Sequence, residues 1–402
     1  MRLRSDLSFL PLDDEVVVFS EETQSLVGLN ASAAYIAQQV NAGMPSSSIA
    51  RELADNGMTS AAAAESWIAT TLEALRDHGM AADGARSQSS GSAATEALQQ
   101  HQARRIATMP PYKPLEAVAE RRYRLLDCVA LMRFAMAGQA EAVDAVLGHL
   151  SVDSSAEPSI VVEVHATILG SRGSVRSNIY CDERPVQFTT GLHRLAPAVK
   201  VLLWERAIDR YNFLFYIHAG VVGTADRCIL LPATAGSGKS SLTAALVHRG
   251  YRYLSDEVAL IKPNTFLVAP VPLAVCVKRA GWDLMSRYFP HIRDLMGHQR
   301  MDGKEVRYIP PAPDAIQKSA AHVSHIVFPR YDASAITELR PVARSAALGR
   351  MMNECWACGH LDRTNVQELI RWIGQIDCYE LPFASLEDAV DLVQQVAPLE
   401  RA

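Results

Sequence analysis

Residues 228–247 read CILLPATAGSGKSSLTAALV: an apolar run, a glycine-rich loop and a segment rich in alanine and leucine. A strand, a loop and a helix in this order are typical of a phosphate-binding loop, or P-loop. Gly236 and Gly238 let successive backbone N–H groups point inward, and the helix N-terminus adds partial positive charge. In this pattern Lys239 reaches the β- and γ-phosphates and the Ser240 hydroxyl ligates Mg²⁺. The string GSGKS also occurs in flexible loops, so the flanking strand and helix are what favour a nucleotide site.

The predicted cofactors are ATP and Mg²⁺. The residues predicted to surround the phosphates are Ala233, Thr234, Ala235, Gly236, Ser237, Gly238, Lys239, Ser240 and Ser241. The strict motif has glycine where this chain has Ala233. A methyl group is tolerated there only if the φ angle is negative, as at the end of a strand. The sequence therefore predicts that Ala233 has a strand-like backbone.

Two acids follow the next predicted strand. The helix after the P-loop ends at Gly250, and Tyr251–Leu254 forms a short strand that leads to Asp256 and Glu257. Carboxylates at the tip of a strand beside a P-loop are typical of a Mg²⁺ ligand and a catalytic base. A solvated turn is the competing interpretation.

A histidine interrupts the apolar strand predicted over residues 215–222. A lone histidine in such a strand is usually a core residue whose hydrogen bonds are satisfied. If the strand forms a hairpin with the P-loop strand, His218 would lie beside the two acids and hold the general base in place. Both interpretations stay open.

The chain divides into three predicted parts. Residues 1–82 contain two short β runs followed by three helical patterns, which predicts a small α+β domain. Residues 83–112 have little apolar surface to bury and predict a flexible linker. Strand and helix patterns alternate over residues 113–402, which predicts an α/β domain that carries the P-loop.

The motifs between residues 218 and 257 resemble HPr kinase/phosphorylase and its relatives. The shared order is His-Ala-Gly, a strand, the P-loop, a helix that ends in Arg-Gly-Tyr-Arg, and Ser-Asp-Glu. The resemblance implies an HPr kinase-like P-loop core. It also implies that Asp256 deprotonates an accepting hydroxyl, and that Glu257 serves Mg²⁺ together with Ser240. HPr kinases form hexamers, so the resemblance leaves a homo-oligomer open.

The sequence departs from that family in the loop and beyond residue 262. Alanine replaces two P-loop residues, and the glycine-rich signature that HPr kinases use for their protein substrate is not found. The pattern is closer to a divergent HPr kinase-related group, some of whose members phosphorylate a serine hydroxyl of a lasso-peptide precursor. Lys278, Arg279 and Arg307 are candidates for contacting phosphate or a peptide carboxylate, with a solvated surface as the alternative.

The first 82 residues resemble the PqqD-like peptide chaperones, which are winged-helix-like recognition domains. The resemblance is carried by Leu29–Ile36, Gly43 and Ile49–Leu53 behind the β runs. It implies that a leader peptide binds as an added strand at the sheet edge, next to a helix groove. A DNA-binding winged helix is the competing interpretation, which the acidic residues of this segment disfavour.

Together, these features predict an ATP-dependent kinase that phosphorylates a Ser or Thr hydroxyl of a ribosomally made precursor peptide in lasso-peptide-like biosynthesis. Docking of the leader would raise the effective concentration of the acceptor. One alternative is a small-molecule or HPr-like protein kinase with a regulatory N-terminal domain. Another is a nucleotide-sensing peptide carrier without turnover.

Composition excludes several other classes of protein. The net charge of -5 argues against non-specific nucleic-acid binding. The start resembles no signal peptide, and no run reaches the roughly 18 apolar residues needed to span a bilayer, so we expect a cytoplasmic protein without a membrane partner. The seven scattered cysteines are expected to be reduced. Cys355, Cys358 and His360 resemble half of a zinc site, but a second ligand pair is missing and helix packing is favoured.

Overall fold

The computed structural model describes residues 2–82, 100, 102–153, 155–169, 174–224 and 226–399. At the N-terminus, an antiparallel sheet is followed by three helices: β1 (Leu7–Leu12), β2 (Glu15–Ser20), β3 (Ser25–Leu29), α1 (Ala31–Asn41), α2 (Ser46–Asp55) and α3 (Ala61–Asp77). The sheet order is β1-β2-β3. Strand β1 is an addition to the prediction. It contains Pro11, which lacks a backbone donor and is tolerated at a sheet edge.

The N-terminal sheet buries both faces, because successive side chains in a strand point to opposite sides. Val18, Val27 and Leu29 pack with the three helices in the core of the N-terminal domain. Val17 and Phe19, on the opposite face, belong to a core formed mainly by the rest of the chain. The N-terminal domain therefore packs against the rest of the chain through the sheet face that carries Val17 and Phe19.

The rest of the described chain contains strands and helices of mixed order. The strands are β4 (Ala119–Leu125), β5 (Cys128–Phe134), β6 (Ile160–Leu169), β7 (Ser174–Cys181), β8 (Arg184–Thr190), β9 (Phe215–Ile217), β10 (Ala219–Gly223), β11 (Arg227–Pro232), β12 (Arg252–Ser255), β13 (Ala259–Ile261), β14 (Val268–Ala269), β15 (Val275–Lys278), β16 (His298–Gln299), β17 (Glu305–Ile309), β18 (His322–Tyr331), β19 (Arg340–Pro341), β20 (Cys355–Cys358) and β21 (Asp377–Phe383). The helices are α4 (Ala137–Leu147), α5 (Leu192–Ile208), α6 (Lys239–His248), α7 (Trp282–Met285), α8 (Arg344–Asn353), α9 (Arg363–Ile373) and α10 (Leu386–Val396).

These strands form several sheets. One has the order β4-β5-β6-β7-β8, and helices α4 and α5 pack in its core. A six-stranded sheet has the order β12-β10-β11-β18-β21-β19 and carries the predicted P-loop. Strands β11, β18 and β21 are parallel, and β10 is antiparallel to β11 and β12. Two smaller sheets have the orders β14-β13-β9-β20 and β15-β17-β16. This is a mixed α/β architecture, as the sequence predicts at that level.

Helices α8 and α9 receive the N-terminal sheet. Leu348 of α8 and Leu369 of α9 share one apolar core with Val17 and Phe19 of β2. At the rim, Gln24 donates from Nε2 to the Leu361 carbonyl at 2.8 Å and accepts from the Leu361 N–H at 2.7 Å. An ion pair between Arg344 and Asp13 adds a contact of 2.9 Å. The two domains are therefore joined by a continuous apolar interface with polar contacts around it.

Residues 102–112, part of the predicted flexible linker, pack against the five-stranded sheet. The Arg105 guanidinium lies 4.5 Å from the ring centroid of Phe188, and the Tyr180 hydroxyl donates to the Pro110 carbonyl at 2.8 Å. This segment differs from the prediction because its basic and backbone groups find partners on β7 and β8. Residues 83–99 and 101 of the predicted linker lie outside the described residues.

Among the described residues, no helix combines the length and the apolar character that a membrane span requires.

Candidate active site

The glycine-rich loop predicted to be a P-loop joins β11 to α6 and adopts the backbone that its glycines allow. Gly236 and Gly238 have φ angles of 100° and 83°, in the left-handed region that favours glycine. Ala233, in contrast, is not among the described residues with positive φ. Its N–H donates to the His218 carbonyl at 3.3 Å, so it continues the strand pairing. The methyl group that departs from the strict motif therefore causes no backbone strain.

Gly238 is also required by close packing. A Cβ atom at this position would lie 2.6 Å from Cζ of Phe383 and 3.2 Å from Cβ of Tyr331. The Tyr331 N–H donates to the Ser237 carbonyl at 2.9 Å. The loop is thus held against the ends of the parallel strands β18 and β21, which fixes where α6 begins.

Lys239 and Asp256 form a buried pair at the start of α6. Lys239 is 6% exposed and Asp256 is 2% exposed. The lysine Nζ lies 3.4 Å from Asp256 Oδ1 and also donates to the Asp256 backbone carbonyl. Burial raises the pKa of Asp256, and the attraction of Lys239 and the Ser240 side chain only partly offsets that effect. The other carboxylate oxygen, Oδ2, is buried and has no hydrogen-bond partner among the described residues.

Glu257 is oriented toward a residue that the sequence analysis did not single out. Its carboxylate forms an ion pair with Lys200 of α5, which is 1% exposed. Burial raises the pKa of Glu257, but Lys200, Lys239 and Arg300 together outweigh burial, and the net pKa lies below the usual range. The sequence feature that could have pointed to Lys200 is its position between the apolar residues Val199 and Val201.

The two acids therefore have different partners. Asp256 meets Lys239 and Ser240 at the P-loop, whereas Glu257 meets Lys200. That Glu257 and Ser240 together serve Mg²⁺ stays a prediction. In this arrangement Asp256 is the acid that adjoins the P-loop serine.

His218 lies between the P-loop strand and β20. Its Nδ1 is 3.7 Å from Glu354 Oε2, and its backbone N–H donates to the Glu354 carbonyl at 2.8 Å. Burial and the nearby Lys239 lower the pKa of His218 to about 4, so the ring is neutral at pH 7. Across the described chain no hydrogen bond joins His218 to Asp256. The side chain lies beside the Glu354 carboxylate, and the role of holding the base stays a prediction.

The three predicted basic contacts occupy different surroundings. Lys278 ends β15, and its charge contributes to the lowered pKa of His218, so it acts on the site. Arg279 is exposed and forms an ion pair with Glu305. Arg307 lies 4.2 Å from the ring centroid of Trp282, and donates to a backbone carbonyl at 2.8 Å.

Arg300 is a further basic group near the acids. It follows β16, and its charge helps to lower the pKa values of both Glu257 and His218. Its Nη1 lies 3.9 Å from Cys276 Sγ. No local motif points to Arg300, because a hairpin brings it to the site. The cations that act on the site are therefore Lys200, Lys239, Lys278 and Arg300.

The chemistry of the donors suits Mg²⁺ in the presence of phosphate. The Ser240 hydroxyl and the Glu257 carboxylate, which are the predicted ligands, are oxygen donors, and this cation prefers oxygen. The described residues contain no group of three or more His, Cys, Asp or Glu side chains able to hold a metal ion by themselves. Phosphate oxygens and water would have to complete the shell, as is usual for Mg²⁺.

Cys355, Cys358 and His360, all within the described chain, do not form such a metal-binding group. Residues Cys355–Cys358 form strand β20, not the helix that the sequence favoured. The strand forms because this segment pairs with β9.

Comparison with known proteins gives partial matches. No curated protein matches the sequence. Among solved structures, TbiB1 in complex with the TbiA(beta) leader peptide is 21% identical, and the match covers 21% of this chain and 99% of that chain with a TM-score of 0.20. The Hpr(Ser) kinase/phosphatase from Coxiella burnetii is 13% identical, with coverage of 45% and 95% and a TM-score of 0.20. TM-scores this low do not establish a shared fold.

The comparison with protein families concerns the N-terminal domain. The family model described as "Coenzyme PQQ synthesis protein D (PqqD)" matches residues 15–81. These residues comprise β2, β3 and the three helices that follow them. The chain therefore carries a PqqD-like domain at its N-terminus.

Proposed function

We propose that this chain is an ATP-dependent kinase that phosphorylates a Ser or Thr hydroxyl of a ribosomally made precursor peptide. The observation that carries the proposal is the buried pair of Lys239 and Asp256 at the start of α6. Asp256 keeps one carboxylate oxygen without a partner in the described structure, and burial raises its pKa. A protein that only senses a nucleotide needs no such base.

In the proposed reaction, Asp256 Oδ2 accepts the proton of the acceptor hydroxyl. The hydroxyl oxygen forms a bond to the γ-phosphorus of ATP, the bond from that phosphorus to the bridging oxygen breaks, and ADP leaves. A raised pKa makes Asp256 a stronger proton acceptor than an ordinary aspartate. Lys239 would neutralise negative charge on the phosphates. Bound Mg²⁺, held in part by Ser240, would supply further charge neutralisation.

The N-terminal domain supports a peptide as the partner. Strand β3 lies at the edge of its sheet, and no further strand pairs with it in the described chain. An extended leader peptide could add there through backbone hydrogen bonds. We expect slower hydrogen exchange at the amides of residues 25–29 when a precursor peptide encoded beside the gene is added. Unchanged exchange there would argue for a regulatory role of the domain.

The kinase activity can be tested with γ-labelled ATP and a library of short peptides that each contain one Ser or Thr. Replacement of a general base typically lowers the rate roughly 100-fold or more, so Asp256→Asn should lose transfer to that extent. The variant should still bind a fluorescent ATP analogue. Lys239→Ala should lose both transfer and nucleotide affinity.

The exposed residue Lys113 provides a matched control, since Lys113→Ala removes a lysine charge outside the site. This variant should behave as the wild type. Wild-type protein that transfers no label, or full transfer by Asp256→Asn, would contradict the proposal.

A further inference from the structure

Strand β20 brings an exposed tryptophan to the edge of the candidate active site. Trp356 is 48% exposed. Its ring centroid lies 6.2 Å from that of His218 and 5.2 Å from that of Trp204. Tryptophan is highly buried on average in proteins. An exposed indole ring beside the candidate active site is therefore unusual.

The backbone of β20 is irregular where Trp356 lies. Cys355 pairs with Ile217 and Ala357 with Tyr216, so the register against β9 shifts at the residue between them. Trp356 is thus the extra residue of a β-bulge. Bulges redirect side chains and are frequent beside active sites. Here the bulge accompanies an indole ring that lies near His218.

Backbone hydrogen bonds connect this strand to the P-loop. The Ala233 N–H donates to the His218 carbonyl at 3.3 Å, and the His218 N–H donates to the Glu354 carbonyl at 2.8 Å. Trp356 lies two residues after Glu354 in the chain. Glu354 is hydrogen-bonded to His218, and His218 is hydrogen-bonded to Ala233 at the start of the P-loop. Such a connection fixes the position of β20 relative to the phosphates.

Helix α5 contributes the second aromatic ring. Lys200 and Trp204 are four residues apart and so lie on the same face of α5. Lys200 pairs with Glu257, and Trp204 contacts Trp356. The indole Nε1 of Trp204 is buried and has no hydrogen-bond partner in the described parts of the chain. One helix face thus holds an acid of the site and presents an unused donor next to the exposed ring.

The other side of β20 is open. The sheet order β14-β13-β9-β20 places it at an edge, with no strand beyond it among the described residues. An unpaired edge offers backbone donors and acceptors to an extended chain. An occupant that uses both the edge and the rings must therefore be an extended peptide with an apolar side chain.

We infer that the free edge of β20 binds the acceptor segment of the substrate peptide, with Trp356 as the platform for an aromatic or aliphatic side chain next to the accepting hydroxyl. A backbone carbonyl of the same segment accepts a hydrogen bond from Trp204 Nε1. This inference rests on the proposed kinase function and adds the position and the preferred sequence of the acceptor. The leader would bind elsewhere, on the PqqD-like domain.

The experiment uses the full chain, ATP and the same peptide library, sorted by the residue on either side of the Ser or Thr. Wild-type protein should prefer an aromatic or aliphatic neighbour. Loss of a central aromatic contact typically costs tenfold or more in affinity, so Trp356→Ala should lower kcat/KM roughly 10- to 100-fold and abolish that preference. Trp356→Phe keeps a ring and should retain most of the activity. Trp204→Phe should raise KM, because it keeps a ring but removes the N–H.

Ile168→Ala is the matched control, since this residue is 72% exposed and belongs to the five-stranded sheet. It should leave the peptide preference unchanged. Affinity for a fluorescent ATP analogue should be the same in all these variants, which separates the acceptor site from the nucleotide site. Transfer by Trp356→Ala with wild-type kcat/KM and preference would overturn the inference and leave the kinase function intact. Absence of transfer by the wild type would refute the kinase function itself.

Discussion

Lys200 holds a charge in an almost fully buried position, and Glu257 is its ion-pair partner. Breaking such a pair leaves one charge without compensation and typically costs about 3 kcal/mol. Lys200→Met should therefore lower the free energy of unfolding, measured by urea denaturation, by about that amount. The double variant Lys200→Met/Glu257→Gln should recover most of the loss, since no unpaired charge remains.

The exposed pair of Lys304 and Asp302 is a suitable comparison. Water screens such a pair, so Lys304→Met should change the free energy of unfolding by less than about 1 kcal/mol. If the Lys200 and Lys304 variants lose equal stability, the buried pair has no special importance for the fold.

His218 should give the protein a pH-dependent stability. Its pKa in the folded chain is about 4, because burial and nearby cations disfavour the charged ring. In the unfolded chain the pKa is about 6.5, so between these values the unfolded state binds more protons. The free energy of unfolding therefore falls as the pH drops from about 6.5 to about 4. The charged groups that act on the ring are Glu354, Glu257, Lys239, Lys278 and Arg300.

The prediction is that His218→Gln makes this pH dependence less steep, by roughly 2–3 kcal/mol across the interval. Urea denaturation at several pH values between about 4 and 7 measures it. Identical slopes for wild type and variant would show that His218 is protonated as readily in the folded chain as in the unfolded one.

At the scale of elements, β3 and α8 meet at Gly28. A Cβ atom there would lie 2.9 Å from Cβ of Ser345, closer than real side chains approach. Gly28→Val should thus destabilise the protein by roughly 1–3 kcal/mol through overpacking. Gly349→Ala, on the same helix, meets nothing within 4 Å and should be neutral or slightly stabilising. Thermal unfolding of both variants measures the difference, and equal melting temperatures would mean that β3 and α8 are not in contact in solution.

Elements with local signals could be predicted from the sequence. The strand, loop and helix around Gly236 and Gly238 lie in one continuous segment, and the glycines adopt the left-handed backbone that the motif requires. Lys200 and Trp356 could not be assigned in this way, because their partners are distant in the chain. Glu257, for example, is 57 residues from Lys200. A bulge such as that at Trp356 depends on pairing with another strand, which no local pattern records.

At the scale of the whole molecule, the sequence predicts two domains but not how they meet. Val17, Val18 and Phe19 are all apolar, and neighbouring side chains in a strand point to opposite faces, so both faces of the sheet are apolar. This pattern does not tell which part of the protein covers the second face. The structure places α8 and α9 there, and no local motif around Leu348 or Leu369 announces it. The predicted boundary near residue 82 therefore separates segments of sequence, whereas the apolar core continues across it.

This continuity predicts the effect of truncation. A chain that begins at residue 102 would expose apolar residues of α8 and α9 that the N-terminal sheet covers. We expect a lower melting temperature and self-association, in addition to any loss of peptide recognition. Calorimetry and light scattering on the truncated protein check this expectation. A truncated protein with the full melting temperature would show that the rest of the chain is stable alone.

The surface that contacts the N-terminal sheet lies far from that sheet in the sequence, since 331 positions separate Asp13 from its partner Arg344. A chimaera that exchanges only the N-terminal domain would place a different sheet surface against α8 and α9, whose side chains are complementary to the original sheet. Successful exchange of the N-terminal domain between related chains would require α8 and α9 to be exchanged together with it. Evolution of the N-terminal domain is then constrained by its packing on α8 and α9, as well as by any peptide that it binds.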